Sequence, residues 1–140
     1  MKCAFGNLLI LLFVASCASV AEQSENTGSQ FQRIINSQME AFARDDGDAA
    51  FAHAAPSIQQ QLGSPGAFMA MVRTGFQPVY RPRSVEFEEH IVVDGKYAQP
   101  VRVVGRDGKV VLAMYHMQQQ PDGSWRIAGV VLRPLRDRKS

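Results

Sequence analysis

Three x-Asp-Gly triplets punctuate the second half of this chain, and each one separates two apolar, β-rich runs: Val93-Asp94-Gly95, Arg106-Asp107-Gly108 and Pro121-Asp122-Gly123. Such a triplet suits a type I turn with glycine at the left-handed bulge position, the usual three-residue hairpin link. Three in succession predict a four-stranded antiparallel meander from Ser84 to Arg133. With three-residue loops throughout, Ile91 falls opposite Tyr97, Gly105 opposite Lys109 and Gln120 opposite Ser124. Odd-numbered residues then share one face, because side chains alternate along a strand with period two. Two rows on that face are apolar: Phe87, Val101, Ala113, Val131, and Ile91, Tyr97, Met117, Ile127. Between them lies a polar row of Glu89, Gln99, Tyr115 and Gly129. The register comes from turn chemistry alone, yet it aligns the hydrophobic residues.

The even face divides differently. Glu86, Glu88, His90 and Arg102 occupy one side. Val110, Leu112, Met114, Val130 and Leu132 occupy the other and predict an exposed apolar patch suited to a homodimer or another partner. A half-wet sheet face covered by the C-terminal tail is the plainer alternative.

Ahead of the sheet the pattern is helical. Phe31, Ile34, Ile35, Met39 and Phe42 recur at helical spacing after a Ser29-x-x-Gln32 capping pair, which predicts a helix from Gln30 to about Arg44. Asp45-Asp46-Gly47 ends it, and Asp48 is placed to cap a second helix from Ala49 to Ala54. Pro56 opens a short piece that closes at Leu62-Gly63. Ser64-Pro65 opens another, with Gly75 at its end. Phe76 to Arg83, with two prolines, reads as a connector.

The first 21 residues have the form of an export signal: Lys2, an apolar core Leu8 to Val14, then small residues. The core falls short of the roughly 20 apolar residues that span a bilayer. Two processing readings are open. Ser19-Val20-Ala21 is a small-x-small site releasing a soluble chain. Val14-Ala15-Ser16-Cys17 resembles a bacterial lipoprotein box, which would remove residues 1–16 and leave Cys17 acylated, the one route to a membrane. Residues 22–29 then read as a polar linker, 30–135 as a single domain and 136–140 as a basic tail. Either route predicts an exported, periplasmic protein.

Both cysteines, Cys3 and Cys17, lie in the leader, so the domain has no disulfide or thiolate chemistry. The formal charge of +2 argues against nucleic acid as the main partner. His53, His90 and His116 lack metal-ligand spacing, and the register sets His90 and His116 about 10 Å apart, too far for one zinc. Asp45, Asp46 and Asp48 fit helix termination and capping better than a calcium loop. No metal and no cofactor is expected. Arg73, Arg81 and Arg83 flank the connector and could gather an anion near the pocket rim, although solvated surface arginines are the simpler reading.

Glu89, Gln99 and Tyr115 are the best candidate constellation, with Tyr97 and Trp125 as further ligand-facing residues. A carboxylate walled by apolar groups could act as a general base, and Tyr115 could donate to a developing oxyanion. Two structural readings compete and are preferred. The row could be a satisfied buried network, or a β-bulge could turn Glu89 outward.

Helices followed by a curved antiparallel sheet closing on Gly123-Ser124-Trp125-Arg126-Ile127 resemble the nuclear transport factor 2-like, or cystatin-like, cone. Ala43 to Phe51 is similar to the first interhelical junction of that superfamily. Four segments narrow the resemblance: Gln38 to Phe42, Ala55 to Gln59, Met71 to Pro82 and Trp125 to Val130. They resemble an uncharacterised exported bacterial family, domain of unknown function 4864. The resemblance implies an α+β fold, helices packed on a curved sheet of four or more strands, and no assigned catalytic residues. The expected role is a non-catalytic pocket binding a small apolar or amphipathic ligand, or a protein partner. The alternatives are an isomerase- or dehydratase-like enzyme using Glu89 and Tyr115, and a structural dimerisation module.

Overall fold

The computed structural model describes residues 18–136, with side chains described from residue 23 onward. Helices come first, as α1 (Ala18–Ala43), α2 (Gly47–Ala52), α3 (Pro56–Leu62), α4 (Pro65–Gly75) and α5 (Gln77–Tyr80). The strands follow as β1 (Ser84–Phe87), β2 (Ile91–Val93), β3 (Lys96–Val104), β4 (Val110–Gln119) and β5 (Trp125–Pro134). They form one antiparallel sheet in the order β1-β3-β4-β5, with β2 sharing the β3 edge with β1. The architecture is α+β. Residues 1–17 of the leader, Cys17 among them, and residues 137–140 of the basic tail lie outside the described residues.

α1 starts well before Gln30, so residues 22–29 are helical rather than a linker, and Ser29 is no N-cap. Within α1, Thr27 Oγ1 donates to the Gln23 carbonyl at 2.8 Å and Asn26 Oδ1 accepts from the Gln30 amide at 3.3 Å. Gly28 also lets His90 pack close, since a Cβ there would stand 3.2 Å from His90 Nδ1. At the other end Asp45 takes the left-handed position, φ 52°. The Asp46 N–H reaches the Ala41 carbonyl and the Asp45 N–H reaches that of Phe42, which is a Schellman ending. Asp46, not Asp48, caps α2, accepting from the Ala49 N–H at 3.1 Å. The connector contains one helical turn, α5.

The buried stripe Phe31, Ile35, Met39 and Phe42 of α1 packs with Phe68, Met69 and Val72 of α4 onto Val101, Val103, Ala113, Tyr115 and Met117 of the sheet. The odd-numbered face of β3 and β4 therefore points inward, as the turn chemistry predicts. The Gly105–Lys109 and Gln120–Ser124 closures also occur, with glycine at positive φ in each.

Two registers differ from expectation. Asp94 and Gly95 both have positive φ (51° and 71°) and Val93 faces Lys96, so this is a two-residue type I′ turn, and Val92 rather than Ile91 faces Tyr97. In β5, Met117 faces Ile127 but His116 faces Gly129, leaving Ala128 as an extra residue. Beyond that bulge the faces swap: Ala113 meets Leu132 and Tyr115 meets Val130. Val130 and Leu132 pack against the core, while Val131 is 45% exposed.

A third irregularity separates β1 from β2, and its cause is Pro100. The Glu88 N–H donates to the Pro100 carbonyl at 3.1 Å. An antiparallel pair would return the bond from residue 100, but proline has no N–H. The Gln99 side-chain amide supplies the donor instead, Nε2 lying 2.6 Å from the Glu88 carbonyl. Phe87 faces Val101 and Ile91 faces Ala98, so 88–90 bulge over 99–100.

Candidate functional site

A cavity of about 60 Å³ lies where α4 and the α2–α3 junction fail to close fully on the sheet. Phe42, Phe68, Met71, Val72, Phe76 and Val79 line it from the helices, with Ala54 and Ile58 at the junction. Tyr115, Ile127, Gly129 and Val130 line it from the sheet. The junction is tied to β5 by backbone bonds: the Ile127 N–H donates to the His53 carbonyl and the Ala55 N–H to the Ile127 carbonyl, each at 2.8 Å. Arg126 Nη1 adds a bond to the Ala52 carbonyl at 2.7 Å. The Ala128 bulge is what brings Val130 into this wall.

Among the described residues, two side chains with polar groups line the cavity. Gln38 is buried, and its amide donates to the Ala50 carbonyl at 3.2 Å. Tyr115 is fully buried and its hydroxyl has no partner among the described residues. Burial raises its pKa, because the phenolate would lose its hydration without compensation. The hydroxyl therefore stays protonated, able to donate one bond or accept one. Sequence reasoning found Tyr115 and missed Gln38, although its place on the Phe31-Ile35-Phe42 stripe was the available signal.

The predicted constellation is only partly assembled. Gln99 and Tyr115 do face each other across β3 and β4 on the helix-covered side. Glu89 does not join them: it sits in the 88–90 bulge, exposed, as the competing structural reading anticipated. It is not among the residues that line the cavity with Tyr115. Gln99 is fully buried, its amide held by the Glu88 and Pro100 carbonyls, and its Oε1 has no partner.

Tyr97 and Trp125 also lie apart from the cavity. They form an aromatic cluster with Phe31, centroids 4.9 Å apart for Tyr97–Trp125 and for Phe31–Trp125, with His90 at 5.6 Å from Phe31. These edge-to-face contacts fix the first half of α1 to the sheet. The expected outer patch keeps Val110, Leu112 and Met114. It loses Val130 and Leu132 to the inward face and takes Val131 in their place.

Arg73 and Arg81 serve an internal anion. Both contact the Asp45 carboxylate at 3.2 Å, the Tyr80 hydroxyl donates to it, and Arg81 stacks over the Tyr80 ring. The Tyr80 hydroxyl, followed by the two guanidinium groups, holds the Asp45 carboxyl below its usual range. Arg83 donates to the Arg106 carbonyl instead. His116 is exposed, and among the described residues no three His, Cys, Asp or Glu side chains converge as metal ligands.

A family model described as Domain of unknown function (DUF4864) matches residues 24–140. Searches of the curated proteins and of the solved structures returned no significant match.

Proposed function

The chain belongs to this DUF4864 family, and we propose that it is an exported, non-catalytic domain holding a small amphipathic ligand in the cavity beneath α4. The single supporting observation is the Tyr115 hydroxyl, fully buried and without a partner among the described residues, in a wall whose one other polar side chain is Gln38. Buried polar groups nearly always find a partner. A ligand with an apolar body and one hydroxyl or carbonyl oxygen would satisfy the tyrosine and fill the space. Half-buried Met71, Ile58 and Phe76 give the wall side chains that can yield to a longer chain.

The signal-like leader supports placement in the cell envelope, and helices covering one face of an antiparallel sheet support the nuclear transport factor 2-like cone. The test is calorimetric titration with 1-hexanol. Saturable binding that weakens in Tyr115→Phe and disappears in the cavity-filling Val130→Phe is expected. Binding that Val130→Phe leaves unchanged would overturn the proposal.

A second reading, compatible with the first, is a homodimer through the outer sheet face. It is favoured by Val131, 45% exposed and directly opposite Met114, beside half-buried Leu112.

A further inference from the structure

We infer that the tip of the β2–β3 hairpin, Ile91-Val92-Val93 with the Asp94-Gly95 turn, is a membrane-contact element that inserts into the surface of a lipid bilayer. The inference rests on the envelope placement proposed above and is independent of the core cavity.

The first observation is exposure. Ile91, Val92 and Val93 are 42%, 50% and 59% exposed, and among the described residues Val131 is the one other large hydrophobic exposed to this degree. Three consecutive apolar residues stand in water because β2 is short and pairs with β3 alone. The type I′ turn fixes the hairpin, with Val93 facing Lys96 and Val92 facing Tyr97. Successive side chains of a strand point to opposite faces, so Ile91 and Val93 project to one side and Val92 to the other. Exposed apolar patches mark protein or membrane contacts, and this distribution selects between them. A second copy of the chain would cover one face of the hairpin, whereas a fluid lipid surface surrounds a tip on both.

The second observation is position. Gln23, Asn26 and Thr27 of α1 line one groove together with Val92, Tyr97 and Trp125. Ala18, where α1 begins, precedes Gln23 by about 8 Å of helix axis, at roughly 1.5 Å per residue. The hairpin therefore shares an end of the molecule with the start of α1, directly after the leader and its apolar run Leu8 to Val14. Acylation of Cys17, the lipoprotein route, would hold this end at the bilayer, where a second apolar contact reinforces a lipid anchor. Tyr97 and Trp125, half-buried in the same groove as Val92, are residue types enriched at membrane–water interfaces.

The test uses the fluorescence of Trp125, the single tryptophan, as the full chain is titrated with phosphatidylcholine vesicles with and without brominated acyl chains. Saturable quenching by the brominated vesicles is expected, and it should persist on addition of salt, because apolar burial is not screened. Val92→Glu should weaken partitioning by about tenfold, the scale of one aliphatic side chain left in water. Val93→Phe, at the exposed tip, should strengthen it. The leader is common to all these chains. Val130→Phe, which fills the core cavity, should leave partitioning unchanged, and Val92→Glu should leave hexanol binding unchanged. Three results would overturn the assignment: equal partitioning of the parent and Val92→Glu, partitioning that needs anionic lipid and vanishes with salt, or a Val92→Glu effect confined to a lower mass in sedimentation, the mark of a second copy on the patch.

Discussion

The side-chain amide of Gln99 lies 2.6 Å from the backbone carbonyl of Glu88 and makes the bond that residue 100 would have made were it not proline. This substitution of a side-chain donor for a missing backbone donor keeps β1 and β3 paired up to the break. It also sets where the 88–90 bulge forms, and so where Glu89 points.

Gln99→Leu removes that donor and leaves the partly buried Glu88 carbonyl without it, which costs about 1 kcal/mol. Pro100→Val returns the N–H to the backbone. In that background the cost of Gln99→Leu should shrink markedly, a coupling readable from a urea-denaturation double-mutant cycle. Additive losses would mean that the amide does not replace the backbone donor.

Tyr115→Phe deletes a hydroxyl that has no partner in the unliganded protein. Stability should stay level or rise by up to about 1 kcal/mol, whereas removal of a bonded hydroxyl costs a similar amount. Burial raises the tyrosine pKa above its ordinary 10.0. The stability contributed by keeping it neutral is therefore complete below pH 10 and lost as pH rises above that, when the unfolded chain ionises first. Thermal melts from pH 9 to 11 should fall less steeply for Tyr115→Phe than for the parent.

His53 has the opposite sign. Partial burial, and secondarily the charge of Arg126, lower its pKa from 6.5. The folded protein holds it neutral, so its contribution is present above pH 6.5 and lost as pH falls through the lowered value. Asp45, whose pKa is also depressed, loses its contribution at more acid pH, below 3.8. His53→Gln should flatten the decline in melting temperature between pH 6.5 and 5 without altering the steeper loss below pH 4, and an unchanged profile would remove His53 from the account.

Leu112→Glu places a charge on the outer sheet face, beside Met114 and Val131. Sedimentation equilibrium should show a dimer for the parent and a monomer for the variant, with circular dichroism unchanged. Equal masses would dismiss the homodimer reading.

The sheet was legible because its turns carry their own geometry. Each x-Asp-Gly triplet demands a reversal, and apolar alternation then selects the covered face. The site was legible only in part, since two bulges, each one residue long, changed which side chains enter the core. Ala128 carries no signature of an extra residue, yet it turns Val130 inward and exposes Val131. Pro100 was visible as a proline inside a strand, but its effect depends on Gln99 lying beside it with a free amide. The helical state of residues 22–29 was likewise hidden, because a polar, serine-rich segment is held as helix by the chain that follows it, where Phe31 docks on Tyr97 and Trp125.

Local chemistry in the sequence determined the α+β order, the three reversals, the inward face of β3 and β4, and the burial of Gln99 and Tyr115 on it. Tertiary structure alone decided that Glu89 stands in solvent, that the outer patch loses Val130 and Leu132, and that the Tyr115 hydroxyl faces no partner. The physical reason is that a strand's facing is cumulative. A single unpaired residue reverses every side chain beyond it, and whether one is inserted depends on hydrogen bonds made to distant parts of the chain.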